Sequence, residues 1–584
     1  MTRNILLTSC LAFLVCGCGT EHRAPEPFSK LAEEFVYTTL SWSPVSATQF
    51  GYHQHGNVRL DSTLDDFSSA TLEEHRRWLT DYRLRLMQSV RPEQLSPEDR
   101  ADYEIIQDQI SLNLLELTSI QAYRHNPTIY VELIGNGLYS PYVLEYASKH
   151  ERCEHILGRL RAVPPLLDQA RRNLASAPEV WTRVAGEEND GNFGLINGVL
   201  KQQCAPEVGA DTYETAAKSA IAELRGFNQW LQNELSGSRY DWRLGPEAYA
   251  QKFRYVLETD DSPENVLRAA EQNLRDTRRQ MFAIASGMTG VDSHASETEV
   301  IRRALDLLAT KHGTRESYFE DARRDLAEAR DFVRHKDLLT LSSRENLQVI
   351  ETPEFMRGIY AVGGFNSAPV LEPQLGAFYW ITPMPPQWPA DRIESKLREY
   401  NTYGLQVLTI HEAMPGHYVQ AEYANEVQPP LRRILRGVFA NGPYVEGWAV
   451  YVTEVMIDSG YMNNDPGLRL TFLKHQLRVI SNAILDIRLQ TMGMSDADAL
   501  RLMIDGAFQE REEAVEKLQR AQLSSTQLPM YFVGFRDWNR ARDQYRSAHG
   551  GLLSLKEFHQ RALAEGAVPM PVLGRLISSP NEAN

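Results

Sequence analysis

Residues 411–417 read His-Glu-Ala-Met-Pro-Gly-His, and Glu-Gly-Trp-Ala-Val-Tyr follows at 446–451. Two imidazoles, an adjacent carboxylate and a later carboxylate are the parts of a hydrolytic zinc site, in which three protein ligands leave a fourth position for water. His411, His417 and Glu446 are the candidate ligands of one Zn2+ ion, and Glu412 is the candidate base. Histidines four apart share one helical face. These two are six apart, roughly 120° around an undistorted helix. Pro415 and Gly416 fall in the gap; proline removes a backbone donor and glycine tolerates irregular torsions. The spacing therefore predicts a helix carrying His411 and Glu412, a break near Met414, and a bulge or kink that returns His417 to the metal. The same residues also fit a helix that ends at a Pro-Gly turn and leaves His417 on the surface.

Glu446 lies 29 residues after His417, enough for a loop and a returning helix. Turn signals stand at Gln428-Pro429-Pro430 and Asn441-Gly442-Pro443. Tyr444 to Ile457 then reads as a buried helix. A carboxylate among Val445, Trp448, Ala449 and Val450 is expensive to bury unpaired, and a cation is a natural partner. A glutamate that caps or salt-bridges a helix start is the plainer alternative.

The 411–420 run, the 446–451 run and Tyr531-x-x-Gly534 together resemble the bacterial domain-of-unknown-function family 885, across nearly the whole mature chain. Asp241-Trp242-Arg243-Leu244-Gly245 with Tyr249, and Gly376-Ala377-Phe378-Tyr379, fit the same resemblance more weakly. Where the family has a histidine four after an aspartate of the next helix, this chain has Gln490 after Asp486. The family is similar to gluzincin metallopeptidases, whose metal is held by two histidines and a distal glutamate. That resemblance implies a mainly α, multi-helical, two-lobed fold with a small β-sheet beside the metal helix. It also implies that Tyr531, near a Gly-rich turn, donates to the negative charge that develops on an attacked carbonyl oxygen. His475, on a helix with Arg469 and Arg478, fits a place behind the metal ligands or that of an ordinary, partly buried histidine, and the plainer reading is favoured.

Residues 376–382 are rich in strand formers and lie between Pro373 and Pro383. With Leu347–Ile350 and Gly358–Val362 they suggest the small sheet. An edge strand there could hold an extended peptide through Phe378 and Tyr379, or it could be a structural hairpin. Elsewhere helical spacings dominate, including segments near 391–414, 465–492 and 495–522, while Ala185–Asn197 reads as a Gly- and Asn-rich loop. The expected layout is a helical lobe over 28–340 and a catalytic lobe over 341–584.

Residues 1–17 read as a secretory signal with a short positive start and an apolar run. Cys18 is then the expected lipidated cysteine, and 18–27 a tether. The expected location is the periplasmic side of a bacterial outer membrane, with the lipid as the only membrane attachment. Cys153 and Cys204 remain, and spacing alone leaves a disulfide open. A formal charge of −16 with no basic cluster argues against nucleic acid. The leading expectation is a zinc-dependent peptidase acting on short peptides. A hydrolase of a non-peptide amide or ester, or an inactive peptide-binding lipoprotein, are the alternatives.

Overall fold

Apolar residues three and four apart fold into helices along almost the whole chain, from Phe28–Ser41 to Met570–Ser578. The computed structural model describes residues 26–235, 240–290, 294–344, 346–352, 357 and 363–578. The signal segment, Cys18, most of the tether and the expected Gly358–Val362 strand lie outside the described residues. None of the described helices is long and apolar enough to cross a membrane.

Besides a short hairpin at 54–59, the described strands form one three-stranded sheet: β1 (Leu347–Glu351), β2 (Gly363–Asn366) and β3 (Ala377–Ile381). β3 is central, parallel to β1 and antiparallel to β2, with Phe365 opposite Tyr379. Successive strand side chains point to opposite faces. Accordingly Ala377, Tyr379 and Ile381 join a large apolar core that runs from Leu31 to Ile577, on both sides of residue 340. Phe378, Trp380 and Ile350 face a second core built by the helices of residues 128–235. The sheet thus stands between the two cores.

Within the second core a disulfide joins Cys153 to Cys204, linking the helices Lys149–Asn173 and Lys201–Val208. The expected loop over Ala185–Asn197 is instead mostly helix, Glu179–Leu195. Packing overrides its poor propensity. Trp181, Val184 and Leu195 are buried, Asn192 Nδ2 donates to the Val131 carbonyl, and Asn189 Nδ2 donates to that of Leu224.

Six helices position the site: α1 (Thr402–Glu412), α2 (His417–Ala424), α3 (Gly442–Asp458), α4 (Pro466–Met492), α5 (Arg511–Leu523) and α6 (Pro529–Ala548). The expected single helix over 391–414 divides at Tyr400-Asn401, because the Asn401 carboxamide oxygen caps α1 by accepting from the N–H groups of Tyr403 and Gly404. The expected 495–522 helix likewise divides, and only its second part is α5.

The weaker motifs converge behind α4. Leu244 N–H donates to Gln490 Oε1 at 2.9 Å, and Tyr249 OH donates to Asp486 Oδ2 at 2.9 Å. Thr526 N–H reaches the same Asp486 oxygen at 2.8 Å, which ties the segment entering α6 to this cluster. Burial pushes the Asp486 carboxyl up to about 7, partly relieved by those donors. From about pH 4 to about pH 7 the folded chain keeps a proton that the unfolded chain has lost, so stability falls as pH rises through that window. Asp486→Asn has no such proton to lose. Relative to the parent it should gain up to ~4 kcal/mol between pH 4 and pH 8 in denaturant unfolding. A pH-independent difference between the two proteins would contradict this assignment.

Candidate metal centre

The interrupted helix decides the site. α1 ends at Glu412, and the N–H groups of Ala413 and Met414 both return to the Thr409 carbonyl. Gly416 N–H then donates to the Ile410 carbonyl at 2.9 Å, closing a tight loop before α2 opens at His417. Only a residue without a side chain fits here. A Cβ on Gly416 would lie 1.9 Å from the His411 carbonyl oxygen and 2.3 Å from that of Ile410. Trp448 on α3 pins the loop from outside, its Nε1–H donating to the carbonyls of Pro415 and Gly416 at 2.9 and 3.2 Å.

α3 brings Glu446 to the same place. Asn441 caps it by accepting from Tyr444 N–H at 2.8 Å, with Pro443 in its first turn. Gly447 meets Gly534 of α6 backbone to backbone: a Cβ on Gly534 would stand 2.0 Å from the Pro443 carbonyl oxygen. The glycine of Tyr531-x-x-Gly534 is therefore a helix-contact residue. Tyr531 lies in the first turn of α6 rather than near a Gly-rich turn.

The structure brings His411, His417 and Glu446 together, with one ligand-type atom from each lying within 4.8 Å of the others. Glu446 Oε2 is 3.8 Å from His411 Nε2 and 3.5 Å from His417 Nε2. Tetrahedral ligands about 2.0–2.1 Å from zinc are roughly 3.3 Å from one another, so this donor set fits one ion after small side-chain movements. The two imidazoles stand nearly perpendicular, 84° between planes. Neither Nδ1 has a protein hydrogen-bond partner. The rings are therefore oriented by packing, with the His475 ring 5.7 Å from His411 and the Phe365 ring 6.5 Å from His417.

Burial holds His411 well below the usual imidazole range, and the charges of His417, His475 and Arg478 push the same way. Burial also disfavours charge on His417, but Glu446 more than offsets it and the net shift is upward. Burial pushes Glu412 up to about 7, opposed by His417 and reinforced by Glu446. The backbone N–H of Phe365 donates to its carboxylate. Burial, with Glu446 nearby, pushes the Tyr531 phenol up to about 12, so it keeps its proton and can donate it in a hydrogen bond. Gln527 Nε2 approaches the Tyr531 hydroxyl at 3.4 Å, and Arg520 also bonds it.

Phe378 and Tyr379 need correction as substrate contacts. β3 is paired on both sides and offers no free edge. Tyr379 is fully buried, its hydroxyl 3.1 Å from Thr409 Oγ1, where it braces α1, and Phe378 packs into the second core. The strand beside the candidate ligands is β2. Phe365 turns its N–H toward Glu412, away from β3, so the outer edge of β2 faces Glu412. Sequence reasoning missed Phe365, whose short Gly-Gly-Phe-Asn strand has little pattern. The sequence favours an ordinary reading of His475, whose ring the structure sets 5.7 Å from that of His411.

The chain belongs to the family described as a bacterial protein of unknown function (DUF885), which it matches over residues 44–577. It is similar to a proposed lipoprotein of unknown function from Shewanella oneidensis, with 29% identity and a TM-score of 0.81, covering 95% of this chain and 100% of that one. It also shares its fold with a proposed lipoprotein from Colwellia psychrerythraea, at 18% identity and a TM-score of 0.77, covering 94% and 98% of the two chains. No curated protein matches it.

The Gly416 contact yields a direct test. Gly416→Ala forces a methyl group against two backbone carbonyls that cannot rotate away, which should cost about 3 kcal/mol or more locally. Zinc affinity, read by competition with a chromogenic chelator, should fall ~10–100-fold or further while helical circular dichroism is retained. Unchanged affinity would mean that the loop does not set the position of His417.

Proposed function

We propose that this DUF885 chain is a zinc-dependent hydrolase, a peptidase of gluzincin-like architecture acting on short peptides in the bacterial envelope. The observation that carries the reading is the convergence of His411, His417 and Glu446 within 4.8 Å, with a second carboxylate, Glu412, next in chain to the first ligand. A zinc ion held by these three residues would supply Lewis acidity and would lower the cost of deprotonating a water beside it.

The chain's own groups divide the remaining work. Glu412, with a carboxyl pushed up to about 7, accepts the water proton and returns it to the leaving amine. Its bond from Phe365 N–H fixes the orientation in which it does so. Tyr531 keeps its proton and donates a hydrogen bond to the carbonyl oxygen as negative charge grows there. The outer edge of β2 offers main-chain groups to an extended peptide running past Glu412. The signal-like start and Cys18 support a lipid-anchored protein, in keeping with the lipoprotein descriptions of the two solved structures, and the periplasmic side of the outer membrane is the location proposed for it. A non-peptide amide suits the same machinery, but the strand edge favours a peptide.

Purified soluble protein assayed for zinc, and against a mixed peptide library with and without chelator, tests the reading. The expected result is one zinc per chain and chelator-sensitive cleavage; zinc without cleavage of any peptide would overturn the peptidase assignment. Glu412→Gln keeps all three ligands, so it should retain zinc and lose at least ~100-fold in kcat. His417→Ala should lose zinc itself. A Glu412→Gln variant with parental turnover would remove Glu412 from the mechanism.

A further inference from the structure

We propose that His53 is a proton-operated clasp: its protonated ring ties the turn between β2 and β3 to the segment that follows the helix Pro44–Phe50, and the neutral ring lets that turn go. The turn leads out of β2, whose outer edge faces Glu412, so the clasp sets how firmly that strand is held. It does not depend on the hydrolase reading.

Two acids stand on opposite nitrogens of one ring. His53 Nδ1 lies 3.0 Å from Asp61 Oδ1, and its Nε2 lies 3.2 Å from Glu372 Oε2. An ionised carboxylate only accepts, so a ring held between two of them needs a proton on each nitrogen. A neutral imidazole has one N–H and would aim its other lone pair at an anion. The two acids are unequal. Asp61 is buried and also accepts from Thr48 Oγ1 at 2.7 Å, so it has the greater need of a fixed donor. The Glu372 carboxylate has no other ion-pair partner among the described residues and is partly open to water. Loss of one proton therefore leaves Nδ1–H on Asp61 and releases Glu372.

The other ionisable groups around the ring do not replace its charge. Tyr146 stacks on His53 with ring centres 4.3 Å apart, and its hydroxyl lies 2.9 Å from His155 Nδ1. His155 approaches Asp61 at 3.9 Å, but burial holds it below the usual imidazole range. Arg59 lies 3.5 Å from the far nitrogen of His155. Arg159 donates to Thr48 Oγ1 and to the carbonyls of Pro44, Leu60, Thr63 and Gly137, not to either acid. Burial disfavours charge on His53, but Asp61 and Glu372 more than offset it and the net shift is upward. The tie is thus complete below about pH 6.5 and is lost as pH rises through the raised value.

What the tie holds follows from the turn itself, residues 367–376. Leu371 N–H donates to the Phe50 carbonyl at 3.0 Å. Gly51, at φ +81°, lets the turn come close: a Cβ there would lie 2.8 Å from Glu372 Cγ and 3.3 Å from Pro369 Cβ. On its other side Val370 packs on Gly437, where a Cβ would stand 2.5 Å from Val370 Cγ2. Without Glu372 the turn keeps that packing and the bond to Phe50 but loses its charged anchor, and the end of β2 at Asn366 gains freedom.

Hydrogen–deuterium exchange of the full-length protein, read by mass spectrometry on peptides covering 363–376, tests the clasp without any assay of turnover. Labelling times at about pH 6 and about pH 9 are scaled to the intrinsic exchange rate, and the helix 444–457 serves as the internal reference. Protection of 363–376 should fall at least ~10-fold between the two, as expected for loss of a charge-assisted contact, while the reference helix changes far less. Glu372→Gln should flatten the step, because a carboxamide can accept from the charged ring and donate to the neutral one. His53→Gln should flatten it too, with low protection at both values. The Glu372 variant leaves Asp61 its donor, so the test stands even if the His53 variant folds poorly. A parent protein with no step, a step shared equally by the reference helix, or a parental step surviving in Glu372→Gln would each overturn the proposal.

Discussion

The close passage of the backbone at Gly416 governs the geometry of the whole centre. Two histidines six residues apart do not share a face of a straight helix. Here the helix stops, and one N–H, from Gly416 to the Ile410 carbonyl, folds the chain back until His417 faces His411. The missing side chain matters because two carbonyl oxygens occupy the space a Cβ would take. A second close passage, Gly447 against Gly534, sets the distance between Glu446 and Tyr531 in the same way. Both constraints are steric and belong to the main chain, which sets the placement of the four candidate side chains His411, His417, Glu446 and Tyr531 before any ligand arrives.

Charge then sorts the surroundings. Burial pushes Glu412 and Asp486 up to about 7 and holds His475 down to about 3. These groups play different parts. Asp486 joins the Tyr249 hydroxyl and the Thr526 backbone, locking the segment that leads into α6. His475 stands neutral beside the candidate ligand His411, whose ring is 5.7 Å away. Among the described residues, Glu412 combines a raised carboxyl with direct adjacency in chain to the candidate ligand His411. The chemistry proposed for the chain depends on that contrast between a proton-accepting carboxyl and its structural counterparts.

Much of this was legible from residue types. Pro415-Gly416 announced the break, and Asn441-Gly442-Pro443 marked the entry to α3. The strand over 377–381 was readable as a run of strand formers between Pro373 and Pro383, apolar throughout because its two faces pack on two different cores. Other features depend on partners remote in sequence. The helix over 179–195 forms despite Gly186, Gly191 and Gly194 because Asn189 and Asn192 find backbone partners across the fold. Tyr379 looked like a contact for substrate because its strand precedes the metal helix. Only the pairing order shows that this strand is central and that, among the described residues, β1 and β2 are the edges. The disulfide between Cys153 and Cys204 likewise required coordinates to bring two helices together.

The central claim is that two imidazoles and one carboxylate share a single zinc ion. X-ray absorption at the zinc edge of the purified protein, with metal content measured on the same sample, addresses it most directly. The account predicts one zinc per chain, a first shell of nitrogen and oxygen only at about 2.0–2.1 Å, and the outer-shell scattering of two imidazole rings. A shell lacking imidazole, or one containing sulfur, or a protein that takes up no stoichiometric zinc, would contradict it.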